Sequence, residues 1–139
     1  MTRCIRMITI NASSKSLTSA ANVLKDHAWI SKFIIFLHMQ KFSVVPHPAF
    51  KAFLLSIKDQ KVRGAVVARI DRLGRGNAGD HAPVGGGLYE LRVHLGAGWR
   101  IYYAQVGEQV LLLVGGGTKA NQLQDIEVAK QRLDKYRDG

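Results

Sequence analysis

The residues best suited to chemistry lie between positions 89 and 103. Alternation along Tyr89–Leu95 puts Glu90, Arg92 and His94 on one side of a strand, and Tyr89, Leu91, Val93 and Leu95 on the other. Trp99–Tyr103 alternates in the same way, with Arg100 and Tyr102 opposite Trp99, Ile101 and Tyr103. Gly96-Ala97-Gly98 between them reads as a hairpin turn, so the strands pair and same-face side chains come within about 5–8 Å of one another. One sheet face is thus expected to carry two guanidinium groups, an imidazole, a phenol and a carboxylate. Guanidinium groups grip phosphate oxygens bidentately and never lose their charge. An imidazole exchanges protons near neutrality, whereas a phenol at its ordinary pKa is a poor proton acceptor.

Other motifs carry less. Gly74-Arg75-Gly76-Asn77-Ala78-Gly79 matches G-x-G-x-x-G, but that fingerprint needs a strand before it and a helix after it. Here a helical pattern precedes and a loop follows, which argues against a dinucleotide site. Gly85-Gly86-Gly87 and Gly115-Gly116-Gly117 lack the G-K-[ST] ending of a phosphate loop. The second triplet instead suits close approach of strand and helix, delivering Lys119 to the sheet edge. The five histidines show no metal-ligand spacing, so no metal site is expected. His47 reads as a turn residue at a helix start and His81 as a loop residue.

The elements that must position these groups follow from periodicity. Phe42–Val45 is β-prone and is stopped by Pro46; Pro48 then suits a helix start. Phe50, Phe53, Leu54 and Ile57 recur on one helical face. Val62, Ala65, Val66, Ile70 and Leu73 form the stripe of a second helix, with Lys61, Arg63, Arg69 and Arg72 off it. A loop is expected from Gly74 to about Gly87. After the hairpin, Val110–Val114 is an unbroken apolar run of the kind found in central strands. A last helix over Asn121–Tyr136 turns Ile126, Ala129, Leu133 and Tyr136 inward. The order is β-α-α-β-β-β-α: an α+β fold with helices packed on one face of a mainly antiparallel sheet.

The 139 residues hold 20 Lys+Arg against 10 Asp+Glu, net +10, which favours a polyanionic partner such as nucleic acid, a ribosome or an acidic protein. The single Cys4 excludes an internal disulfide framework, and no apolar run is long enough for a membrane span. Residues 1–38 lack the sustained pattern seen in 39–139. They read as an N-terminal extension, either a poorly ordered arm or sequence upstream of a true start at Met39. An amphipathic helix around Trp29–Leu37 that docks on the domain is the alternative.

Five blocks occur in a telling order: Gly76-Asn77-Ala78-Gly79-Asp80; Val84-Gly85-Gly86-Gly87-Leu88-Tyr89-Glu90-Leu91-Arg92; Gly96-Ala97-Gly98-Trp99-Arg100-Ile101-Tyr102-Tyr103; Leu112-Leu113-Val114-Gly115-Gly116-Gly117-Thr118-Lys119; and Gln122…Asp125-Ile126…Ala129. Over about residues 41–137 this series resembles the RelE/ParE superfamily of type II toxins, in the HigB-like branch labelled addiction module killer protein. The resemblance implies a compact α+β toxin domain. Many such toxins cut messenger RNA at the ribosome by attack of the ribose 2′-hydroxyl on the adjacent phosphate, without metal or cofactor.

On that resemblance, Arg100 stands where relatives carry a key strand arginine and is expected to be the main phosphate stabiliser. Arg92 and Lys119 are substrate clamps, His94 a general acid or base, and Tyr102 a group that positions or stacks a base. Some relatives carry lysines where this chain has Glu90, which either neutralises Arg92 or serves as base; the base stays open between His94 and Glu90. Lys61, Arg63, Arg69 and Arg72, with Arg75, are expected to meet ribosomal RNA. Arg100→Ala should abolish growth arrest without unfolding the domain. The implied partners are the ribosome, mRNA and a cognate helix-turn-helix antitoxin that forms a hetero-oligomer with the toxin, all in the cytoplasm. The competing readings are a gyrase-binding ParE-type toxin without enzymatic activity and an inactive phage or accessory relative.

Overall fold

The computed structural model describes residues 29–37 and 41–139. The Met39 start, and the reading of residues 1–28 as loop or arm, lie outside the described residues. Residues 29–37 form helix α1 (Trp29–Leu37), with Trp29 and Phe33 buried in the core. Its rings lie 5.8 Å apart, and the Arg63 guanidinium sits 5.9 Å from the Trp29 ring, a cation–π distance. The docking helix that the sequence left as an alternative is therefore what these residues form.

Strand β1 (Ser43–Pro46) leads into α2 (Pro48–Ser56). Pro48 opens α2, where its missing N–H costs nothing, and the His47 imidazole caps it by accepting from the Ala49 N–H at 3.0 Å. Burial, helped by Arg132, holds the His47 pKa below the usual imidazole value. The neutral, accepting ring is the folded form, so this cap contributes above the normal histidine range and fades as acid protonates it. Asp59 caps α3 (Gln60–Gly74) in the same manner through the Lys61 N–H. Gly76 ends α3 at φ 94°, with its N–H bonded to Leu73 O and that of Asn77 to Arg72 O, a Schellman closure that a side chain at Gly76 would strain.

The remaining strands are β2 (His81–Gly85), β3 (Leu88–Val93), β4 (Trp99–Gly107) and β5 (Val110–Thr118), followed by a single 3₁₀ turn and α4 (Gln122–Asp138). The sheet order is β1-β5-β4-β3-β2; β1 runs parallel to β5 and every other pair is antiparallel. The fold is α+β, as expected. The expected loop up to Gly87 in fact holds edge strand β2, whose five residues HAPVG give no apolar alternation to read; Pro83 is tolerated there because an edge strand need not donate on both sides.

The expectation that helices pack on one face is corrected. Helices α1, α2 and α3 cover Leu91, Val93, Ile101, Tyr103, Leu111 and Leu113. Helix α4 covers the opposite face, burying Ala129 and Leu133 against Leu88, Tyr102, Ala104, Leu112 and Val114. The physical reason is that this second face carries its own apolar patch, and burying a Leu or Val side chain is worth about 1.5–3 kcal/mol. Tyr136, expected inward, is exposed.

The Gly115–Gly117 triplet does bring strand and helices close. A Cβ on Gly116 would collide with the Phe53 ring of α2, and one on Gly117 with the Asp125 carboxylate of α4. Gly116→Ala is expected to cost about 1–3 kcal/mol by overpacking, because its Cβ would meet the partly buried Phe53 ring well inside van der Waals contact. Urea unfolding measures it, and a loss below about 0.5 kcal/mol would show that Phe53 moves freely.

Candidate functional site

The hairpin registers Arg92 directly opposite Arg100, two like charges that would destabilise the pair if left alone. Glu90 answers both. Its Oε1 accepts from Arg92 Nε at 3.0 Å and lies 3.5 Å from Arg100 Nε, while Oε2 accepts from Gln122 Nε2 of α4 at 2.7 Å. A second carboxylate extends the chain: Asp80 Oδ1 is 3.4 Å from Arg92 Nη1, and Oδ2 accepts from His94 Nε2. Five ionisable side chains therefore form one line, His94–Asp80–Arg92–Glu90–Arg100.

Exposure grades steeply along that line. The side chain of His94 is 70% exposed, Asp80 40%, Arg92 36%, Arg100 9% and Glu90 1%. The expected open face is thus half covered. Glu90 and Arg100 lie beneath α4, so Glu90 neutralises two arginines and is not placed to take a substrate proton. Arg100 is a buried support with little surface for a phosphate, contrary to its expected leading role. Tyr102 is fully buried with its hydroxyl unpartnered, which leaves no ring face for stacking a base. Burial, Glu90 and Asp125 raise its pKa, so the phenol stays neutral. Arg100→Ala is correspondingly a stability change, not the clean active-site substitution expected from the sequence.

The exposed end keeps an imidazole, a carboxylate and a guanidinium in solvent. His94 lies just beyond β3, and Asp80 reaches it from the loop that enters β2. The hydrogen bond to His94, with Arg92 beside it, holds the Asp80 carboxyl below the usual carboxylate range. Ionised Asp80 can only accept, so in the neutral imidazole the proton sits on Nε2 and Nδ1 is the acceptor nitrogen. Asp80 in turn fixes the tautomer and orientation of the ring. Glu90, first, and Asp80 also raise the Arg92 pKa, keeping that guanidinium charged. Since the Asp80 pKa is depressed in the folded state, the ion pairs it makes are present above the unfolded carboxylate range. They are lost only as pH falls through the lower folded value.

Lys119 lies at the hairpin on the β5 side: its backbone N–H donates to Gly98 O at 2.7 Å, and its stem lies beside Gly98 near Arg100 Nη1. Of the cations expected to meet ribosomal RNA, Lys61 and Arg72 are exposed on α3. Arg63 and Arg69 are not free to do so. Arg63 is 7% exposed and donates to Ile57 O. Arg69 is committed to three main-chain carbonyls, Arg92 at 3.0 Å, Ala78 at 2.8 Å and Asp80 at 3.1 Å, and so pins the Asp80 loop to β3. Sequence reasoning missed Asp80 as a functional residue, though it stands in the Gly76–Asp80 block; nothing local says that a loop aspartate will fold back fourteen positions to a strand histidine.

No family model and no solved structure matches the chain. A protein of Haemophilus influenzae described as an uncharacterized protein is 37% identical to it over 81 residues, which cover 58% of this chain and 82% of that protein. With that identity over most of the relative's length, the chain belongs to the same family as this Haemophilus influenzae protein.

Proposed function

We propose that this protein is a toxin of a type II toxin–antitoxin system in the RelE/ParE superfamily, HigB-like branch, and that it cuts messenger RNA at the ribosome. The observation that carries the reading is the Asp80-oriented His94 with its free Nδ1 beside the charged, half-exposed Arg92, on a chain of net charge +10. His94 takes the proton of a ribose 2′-hydroxyl, the 2′-oxygen attacks the adjacent phosphorus, and the bond to the 5′-oxygen breaks. Arg92, with Lys119, stabilises the charge gathering on the phosphoryl oxygens. Water at this open edge protonates the departing oxygen. Glu90 acts from below by holding Arg92 in place, its carboxylate shared with Arg100.

The same reading supplies the partners: ribosome, mRNA and a helix-turn-helix antitoxin that binds the toxin in a hetero-oligomer, in the cytoplasm. The test is to add the purified protein to translating ribosomes and map the transcript ends. Upstream fragments ending in a 2′,3′-cyclic phosphate and downstream fragments starting with a 5′-hydroxyl are expected. Intact transcripts with DNA breaks and an SOS response in expressing cells would point to gyrase instead; intact transcripts without growth arrest would point to an inactive relative.

A further inference from the structure

A second concave site lies on the opposite sheet face, past the end of α3. It is a groove of about 250 Å³ lined by Phe42, Leu73, Ala78, His81, Tyr89, Tyr103, Gln105 and Leu111 among others. Tyr89 and Tyr103 stack with ring centroids 5.6 Å apart and planes at 25°, and the His81 ring stands 6.2 Å from Tyr89. The file runs across three neighbouring strands: Tyr103 is nearly buried, whereas Tyr89 at 37% exposure keeps ring surface in solvent. Stacking on it would cover apolar area that now faces water.

The polar groups around the rings suit a heteroaromatic ring better than a hydrocarbon one. His81 Nδ1 donates to Gly79 O at 2.9 Å, which leaves Nε2 as an acceptor. The Gln105 amide nitrogen donates to Gly107 O and Glu108 O, leaving its carbonyl oxygen available. Tyr103 is pushed up to about 12, chiefly by burial, so no phenolate forms here to repel an anion. Lys41 makes the rim basic: its side chain lies over Gly76, itself part of the groove.

From the rings, the acceptors and the basic rim we propose that this groove binds one unpaired nucleobase of a single-stranded RNA, with Lys41 facing the attached phosphate. Asp80 and His81 are successive residues; the first orients His94 and the second opens the groove, so a strand passing over the entry to β2 meets both. The inference rests on the RNA-cutting reading for its ligand, and it adds a second contact that grips the strand without taking part in the reaction.

The probe is a short single-stranded RNA carrying one 2-aminopurine, a base whose emission is quenched when it stacks on aromatic rings. Base–aromatic stacking is worth about 1–3 kcal/mol, so Tyr89→Ala is expected to weaken binding roughly 5- to 150-fold and to abolish the quench. Tyr89→Phe should keep both, and Lys41→Ala should weaken binding and flatten its salt dependence. His94→Ala serves as the control for the other site: it should stop cleavage while leaving the quench intact. Unchanged binding and quench in Tyr89→Ala overturn the groove assignment even if the parent protein cuts RNA. If the quench persists but neither the parent nor His94→Ala cuts transcripts on translating ribosomes, the nucleobase site stands and the catalytic reading falls.

Discussion

His94→Ala is expected to slow RNA cleavage by about 10²–10⁴-fold, the usual worth of a positioned proton-transfer group, with the thermal midpoint almost unchanged. The separation of the two effects follows from exposure. His94 is 70% exposed and its hydrogen bond is to a surface carboxylate, so little folding energy resides there. Asp80→Asn tests the orientation separately. The amide can present its NH₂ to the ring and so favour the wrong tautomer, with the proton moved to Nδ1. A loss in kcat with little change in KM is expected. Equal cleavage by the parent and His94→Ala, measured as single-turnover rates, would remove this histidine from the mechanism.

The second large effect is on stability. Glu90→Ala should cost about 3–5 kcal/mol, because it leaves the buried Arg100 charge facing Arg92 without its counter-ion. Against the total of about 5–15 kcal/mol that folds an ordinary domain, this is enough to leave much of the protein unfolded at body temperature. Glu90 and Arg100 are 1% and 9% exposed, so solvent screens neither, whereas the half-exposed Arg92 can turn toward water. The charge and not the volume should matter. Glu90→Leu combined with Arg100→Met is therefore expected to recover most of the loss, since an apolar pair of similar size avoids the desolvation of two ions. Urea unfolding of the two singles and the double gives the coupling directly. A Glu90→Ala loss below about 1 kcal/mol would mean that water enters beneath α4 and solvates Arg100.

This cluster also shows why the site was only partly legible. That Glu90, Arg92, Arg100 and Tyr102 share a face follows from two-residue alternation and one glycine turn, and the structure has that arrangement. What the strand patterns could not say is how deep each would lie. The unbroken run Val110–Val114 was a signal available in the sequence: Leu112 and Val114 face the same way as Tyr102, and apolar residues on both faces of a strand require cover on both. Helix α4 is that cover, and its first turn, through Gln122, closes over Glu90.

By itself the sequence determined the local things: the helices after Pro48 and Asp59, the hairpin at Gly96–Gly98, the α+β class, and the side of the sheet on which each ionisable group stands. These rest on chain geometry and on patterns a few residues long. Only the tertiary structure decided which of those groups remain in water. It buried Arg100 and Tyr102, spent Arg69 on three carbonyls, and turned Asp80 toward His94. Each outcome depends on where a distant helix or loop docks, and docking is set by the total apolar area each face must hide, a quantity that no single segment contains.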